Sequence, residues 1–184
     1  DQGTTPSEVT LRLHGEDLYA GLSDGGAATY YKVVDNLFTA EGASESDYNL
    51  KASYADGVMD VVCKDMVITR SVNNSMFNFG YSSDTGKYNY AVRITLIGEN
   101  KITASGGYHL NCTPTGGMTI TGDGSLYMCT SDQFFVMDVA AGDLTIQDTT
   151  VTIEQKNGTN YCGILMEKGS LIVDNSTLTV NAQG

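Results

Sequence analysis

Tryptophan is absent from this chain of 184 residues, and proline and histidine occur only twice each. Two histidines are too few to complete zinc sites with the four cysteines, and Cys63, Cys112, Cys129 and Cys162 show no Cys-x-x-Cys spacing. No zinc site is expected, and the spacing suggests no disulfide pairing, so all four thiols are expected to be free. No run of 18 or more apolar residues exists, which excludes a membrane-spanning helix. Asp1, Gln2 and Gly3 do not open a signal peptide, so the chain is expected to be either cytoplasmic or the mature form of a protein whose leader has been removed. Basic residues are scarce: ten Lys and Arg stand against 22 Asp and Glu, a formal charge of −12. Such a surface repels phosphate backbones and anionic lipid, so neither nucleic acid nor membrane insertion is expected.

What is abundant is turn and strand chemistry. Twenty-one Gly, 11 Tyr and many Thr and Val accompany a hydrophobic content of 41%, enough to fill a core. The stretch Met118-Thr-Ile-Thr-Gly-Asp-Gly-Ser-Leu-Tyr-Met128 reads apolar-x-apolar, polar turn, apolar-x-apolar. Its pattern recurs from Ile94, Leu144 and Leu171, at intervals of 24, 26 and 27 residues, the last two copies having a turn one residue shorter. A period in this range marks a solenoid. A third short strand per coil is traced at Phe77/Phe79, Leu110/Cys112, Met137/Val139 and Ile164/Met166. In every strand the named pair alternates with period two and so shares one face.

The expected architecture is all-β: a single-stranded parallel β-helix with three short strands per coil. A β-sandwich needs antiparallel hairpins, which near-identical phrases at constant spacing do not provide. A leucine-rich repeat needs Leu and Asn positions that are missing. Residues 1–57 do not carry the repeat. Val9–Leu13 and Tyr30–Val34 read as strands, and Asp56-Gly57 as a turn, so this segment is expected to be a β-rich cap over the first rung. Coils then fill 58–184, with the last one incomplete.

Three features bear on function. Glu99, Asp123, Asp148 and Asp174 fall in turns that the repeat aligns, and rungs lie about 4.8 Å apart, so they are expected to form an acidic ladder. Two readings stand: calcium relieves the repulsion, or each residue caps its own turn. Second, the first coil takes 35 residues from Met59 to Ile94. The surplus at 80–91 is a projecting loop in which Tyr81, Tyr88 and Tyr90 either stack on sugar rings or pack the loop against the barrel. Third, catalytic chemistry is poorly provided. Arg12, Arg70 and Arg93 lie outside the acidic ladder, His14 and His109 have no nucleophile beside them, and His109 is expected on the solvated outside next to inward Leu110. Cys112 is expected in the core.

The segment from Tyr30-Tyr-Lys through Gly42-Ala-Ser-Glu-Ser-Asp-Tyr-Asn-Leu50, leading into a rung at 58–69, resembles the entry to β-helical repeat domains of secreted proteins from anaerobic gut Firmicutes. The phrase Met118-Thr-Ile-Thr-Gly-Asp-Gly-Ser-Leu126 is similar to the repeat of that carbohydrate-binding-domain-like family, whose fold is pectate-lyase-like. The resemblance implies that fold and a secreted or cell-surface setting. Some members bind plant polysaccharide with calcium, which implies a calcium role for Glu99, Asp123, Asp148 and Asp174; no catalytic motif carries over. The expected function is a non-catalytic module binding polysaccharide. A structural stalk or adhesin with a surface-protein partner, and a polysaccharide lyase-like enzyme, are the alternatives. Leu171, Val173, Leu178 and Val180 on the incomplete last coil are expected to leave an apolar end, covered by further coils or by an end-to-end homodimer.

Overall fold

The computed structural model of the chain describes residues 5–13, 18–72, 75–80, 85–131, 135–156 and 162–183. Every regular element among them is a strand, arranged as a parallel β-solenoid with three sheets. The first sheet stacks β6 (Val58–Lys64), β9 (Ala91–Ile97), β12 (Met118–Thr121), β15 (Leu144–Gln147) and β18 (Leu171–Asp174) in parallel. The second stacks β7 (Val67–Ser71), β10 (Glu99–Ser105), β13 (Ser125–Thr130), β16 (Thr150–Gln155) and β19 (Thr177–Ala182). The third stacks β8 (Ser75–Phe79), β11 (Tyr108–Cys112), β14 (Met137–Val139) and β17 (Ile164–Met166). No described helix is long and apolar enough to cross a membrane.

Side-chain alternation puts one apolar pair per strand inside. Met118, Ile120, Leu126, Met128, Met137 and Val139 are all buried, as their spacing predicts, and Cys112 is buried with them. In-register parallel pairing stacks each pair on its equivalents, so Ile94, Ile120 and Ile146 form one column. At the corner between the third and first sheets, Gly142 has a φ of 75°, and a Cβ there would sit 2.5 Å from the Gly117 amide nitrogen. Only glycine permits that approach between rungs.

The cap extends two of the three sheets by antiparallel pairing. In the first sheet β5 (Leu50–Ala55) turns into β6 through Asp56 and Gly57, both at positive φ, the two-residue type I′ geometry that matches strand twist. Beyond β5 lie β3 (Thr29–Val34) and β4 (Leu37–Thr39). In the third sheet β1 (Glu8–Leu13) lies antiparallel on β8 and carries β2 (Leu18–Ser23) outside it. Leu11, Leu22, Tyr31 and Leu50 join the core of the rungs, so cap and solenoid share one interior. Among the described residues the second sheet receives no cap strand, and β7 is its edge. There the Thr69 amide donates to Oδ1 of Asn36, which sits with Asp35 at positive φ in the β3–β4 turn.

Two expectations of register are corrected. Met59 pairs with Val92, and Ile94 pairs with Val61 rather than with Met59. Met118 likewise pairs with Val92, so the second copy of the repeat is slipped by two residues from the alignment that starts it at Ile94. A two-residue slip leaves every side chain on its own face, so the core is unaffected while the turns are displaced.

Candidate functional site

The slip decides the geometry of the corner between the first and second sheets. Glu99 is in register with Ser125 and Thr150, and Thr150 with Thr177. Asp174 is in register with Gln147 on the strand, and Gln147 with Thr121. The four acids expected to share one ladder are thus dispersed: Glu99 begins a strand, Asp174 ends one, and only Asp123 and Asp148 remain at the turns. Among the described residues no three His, Cys, Asp or Glu gather into a metal-binding group.

What replaces the ladder is an open polar groove of about 600 Å³ lined chiefly by Asp123, Asp148, Thr150, Asn175, Ser176 and Thr177. Asp148 and Asn175 take positive φ (52° and 45°), a conformation these short polar residues tolerate, and this lets the two-residue turns close. The third rung has one residue more there, Gly122-Asp123-Gly124. Groups along the groove brace one another: Asn175 Nδ2 donates to Asp148 Oδ1 at 2.7 Å, the Thr149 amide to Ser176 Oγ at 3.0 Å, and Thr149 Oγ1 to the Gly124 carbonyl at 3.0 Å. Asp148 is thus bonded to a side chain of the next rung.

Beside the groove, the outer face of the second sheet carries Tyr127, two residues along the strand from Ser125. Its ring lies under Lys101, with Nζ 5.3 Å from the centroid, and its hydroxyl donates to Glu154 Oε2. That bond holds the phenol above its usual range and Glu154 below the usual carboxylate range. Lys156 approaches the same carboxylate at 3.5 Å. The ring is thereby fixed on the sheet between Lys101 and Thr152, its register partners on the adjoining rungs.

For the loop tyrosines the structure describes two of the three. Tyr81 lies outside the described residues. Tyr90 is 3% exposed and meets Tyr54 edge-on at 6.0 Å, so it packs the core instead of offering a face to a sugar. Tyr88 is half-buried, with Lys87 Nζ 5.0 Å from its ring, and lines a cleft of about 150 Å³ with Glu8, Arg12 and Tyr90. Arg93 is bound to Asp60 through both Nε and Nη2 on the outer face of the first sheet, which leaves it paired instead of poised as a base.

His109 is also corrected. It is wholly buried, not solvated. Its Nε2 lies 2.7 Å from the Cys129 carbonyl oxygen and 3.1 Å from the Ala104 amide nitrogen. The Ala104 amide donates to Nε2 in one tautomer, and Nε2–H donates to the Cys129 carbonyl in the other. Burial lowers this imidazole to about 4, keeping it neutral. Three further residues on the third sheet escaped sequence reasoning: Asn78, Asn111 and Asp138, stacked rung on rung. Their signal was present, since each is the polar residue between two inward apolar ones.

Comparison with family models, with curated proteins and with solved structures finds no match to this chain.

Proposed function

We propose that this chain is a non-catalytic module, secreted or displayed at a cell surface, that binds polysaccharide along the corner groove and the adjoining face around Tyr127. The observation that carries the reading is the continuity of the two surfaces. The groove supplies acceptors at Asp123 and Asp148 and hydroxyl and amide groups at Thr150, Thr177 and Asn175. Tyr127, on the strand that follows the Gly122-Asp123-Gly124 turn lining the groove, supplies a fixed ring. Hydroxyl recognition beside a ring is the physical basis of sugar binding, and the groove follows the solenoid axis as an extended chain requires. Because the groove bears carboxylates on a protein of charge −12, neutral glycans fit it better than polyuronates.

Affinity electrophoresis against neutral and acidic polysaccharides tests this. Retardation by a neutral glycan, lost at least tenfold in Tyr127→Ala and in Asp148→Ala with the fold intact, is the expected result. No retardation by any glycan, or retardation untouched by both changes, rejects it. A structural stalk is the competing reading, and one observation favours it: Leu171, Val173 and Val180 on the last described rung are 44%, 45% and 43% exposed, an apolar face that further coils or a second copy would cover. Sedimentation at several concentrations separates the two, since a stalk of paired chains dimerises and a monomeric glycan binder does not.

A further inference from the structure

Basic residues are scarce on this chain of charge −12, and two lysines differ from the others in how they are held. Lys32 is bound to Asp47, Arg93 to Asp60, and Lys156 approaches Glu154. Among the described residues Lys51 and Lys64 are ion-paired with no carboxylate. Each lies over a ring instead. Lys51 Nζ is 5.9 Å from the centroid of Tyr30 and Lys64 Nζ 5.5 Å from that of Tyr48, and the two rings meet tilted at 5.6 Å. Register explains the cluster: Tyr30 is opposite Lys51, Lys51 is opposite Val62, and Lys64 lies two residues further along β6 on the same outward face. All four side chains are half-buried, and the attraction of ammonium for ring limits the freedom of both lysines.

The cluster stands at the cap end of the corner that forms the groove. The Lys64 amide donates to the Asn49 carbonyl, the Asp65 amide to Ile97, and the Gly124 and Ser125 amides to Leu96 and Gly98. Rung by rung, the corner therefore runs from Tyr48-Asn49 through Lys64-Asp65 and Ile97-Gly98 to Gly122-Asp123-Gly124. Lys64 and Asp123 are two rungs apart, about 10 Å at about 4.8 Å each. Between them Gly98, at a φ of 65°, presents no side chain, and the Asp65 carboxylate lies across it where a Cβ would be. The acceptors of the groove, Asp148 and Asp123, are thus continued by Asp65 and end at two cations.

Two ammonium groups without carboxylate partners favour a negative group at this end of the corner, while the three aspartates disfavour one along the rest of it. A polyuronate would meet that repulsion at every rung; a neutral chain carrying an isolated carboxylate would not. We propose that Lys51 and Lys64, held by Tyr30 and Tyr48, form a subsite for a single uronic acid carboxylate on a polysaccharide whose neutral sugars lie along the corner groove. This inference rests on the glycan reading of the groove and narrows its substrate class to neutral backbones with sparse acidic substituents.

The test is affinity electrophoresis of the full chain in glucomannan, galactomannan and mixed-linkage glucan, each native and with a small fraction of its primary hydroxyls oxidised to carboxylates. On a protein of this charge, oxidation alone should weaken retardation. The expected result is the opposite, a gain of at least threefold over the native polymer that retards the protein, diminishing with added salt. The gain should vanish in Lys51→Gln/Lys64→Gln and persist in Lys168→Gln, an exposed lysine away from the corner. Should the double change unfold the protein, Lys64→Gln alone is read instead and should at least halve the gain. Absence of a gain, a gain undiminished by these changes, or one lost equally in Lys168→Gln overturns the subsite and leaves the groove reading standing. No retardation by any native polymer overturns the groove reading and the subsite with it.

Discussion

Replacing Ile120 by Ala measures the stacked column directly. Ile120 is fully buried in the middle of the first sheet, with Ile94 on one side and Ile146 on the other. The change removes three carbon atoms, about 2.4 kcal/mol at about 0.8 kcal/mol for each buried CH₂. A cavity term adds to this, because β9 and β15 pin the backbone from both sides and prevent the neighbours from closing in. The expected total is about 3–4 kcal/mol, within the usual range for such deletions. For a chain of this size that corresponds to a fall of roughly 6–16 °C in melting temperature. Val173→Ala, in the next rung of the same column but 45% exposed, should cost less than about 1 kcal/mol. Urea unfolding followed by far-ultraviolet circular dichroism suits a protein without tryptophan. Equal losses from the two substitutions, or a loss below about 1 kcal/mol at Ile120, would falsify the stacked-column account.

Two further outcomes follow from the electrostatics and the thiols. Asp138 has a folded pKa raised to about 6, above its unfolded value, so its contribution is fully present below the unfolded pKa and is lost as pH rises through about 6. Asp138→Asn should therefore gain stability relative to the parent at pH 7, by about 1–2 kcal/mol after allowance for partial exposure, and no gain should appear at pH 3.5; a pH-independent difference contradicts this. A thiol reagent should label one cysteine of the native protein quickly, Cys162, which is exposed. Cys63, Cys112 and Cys129 are buried, and burial pushes the Cys63 thiol up to about 12, so rapid labelling of more than one thiol contradicts the packing.

The fold was legible because period-two alternation survives error. Aligning Ile94 instead of Val92 with Met118 left Ile94 and Ile102 facing inward all the same. Turn residues have no such tolerance, and the same slip set Glu99 beside Asp123 in the reading when the structure sets it beside Ser125. Asp174 was misplaced independently of the slip, since the copies from Leu144 and Leu171 were aligned in true register and there Asn175, not Asp174, meets Asp148. Packing of Tyr90 was one of the two readings left open, and His109 was misjudged, because burial of a residue in a loop or on an outer face depends on what lies across from it. Tyr54, 36 positions before Tyr90 in the chain, takes the edge of its ring, and His109 Nε2 sits between the Cys129 carbonyl and the Ala104 amide. Local pattern carries no trace of either. Tyr127 was read as part of a strand, and its pairing with Lys101 and Glu154 required the true register.

The bond from the Thr69 amide to Asn36 has a consequence for how the molecule behaves in a crowded solution. The cap covers the starting edges of two sheets with strands but guards the third with a side chain, leaving Val67 58% exposed beside it. A bare parallel edge is a template on which a foreign strand, including the last rung of another copy, can nucleate and propagate as a filament. Asn36 occupies the central donor of that template with an amide that has no chain to extend. Elongation from that end would first have to break the Thr69–Asn36 bond, so the hairpin tip opposes growth there.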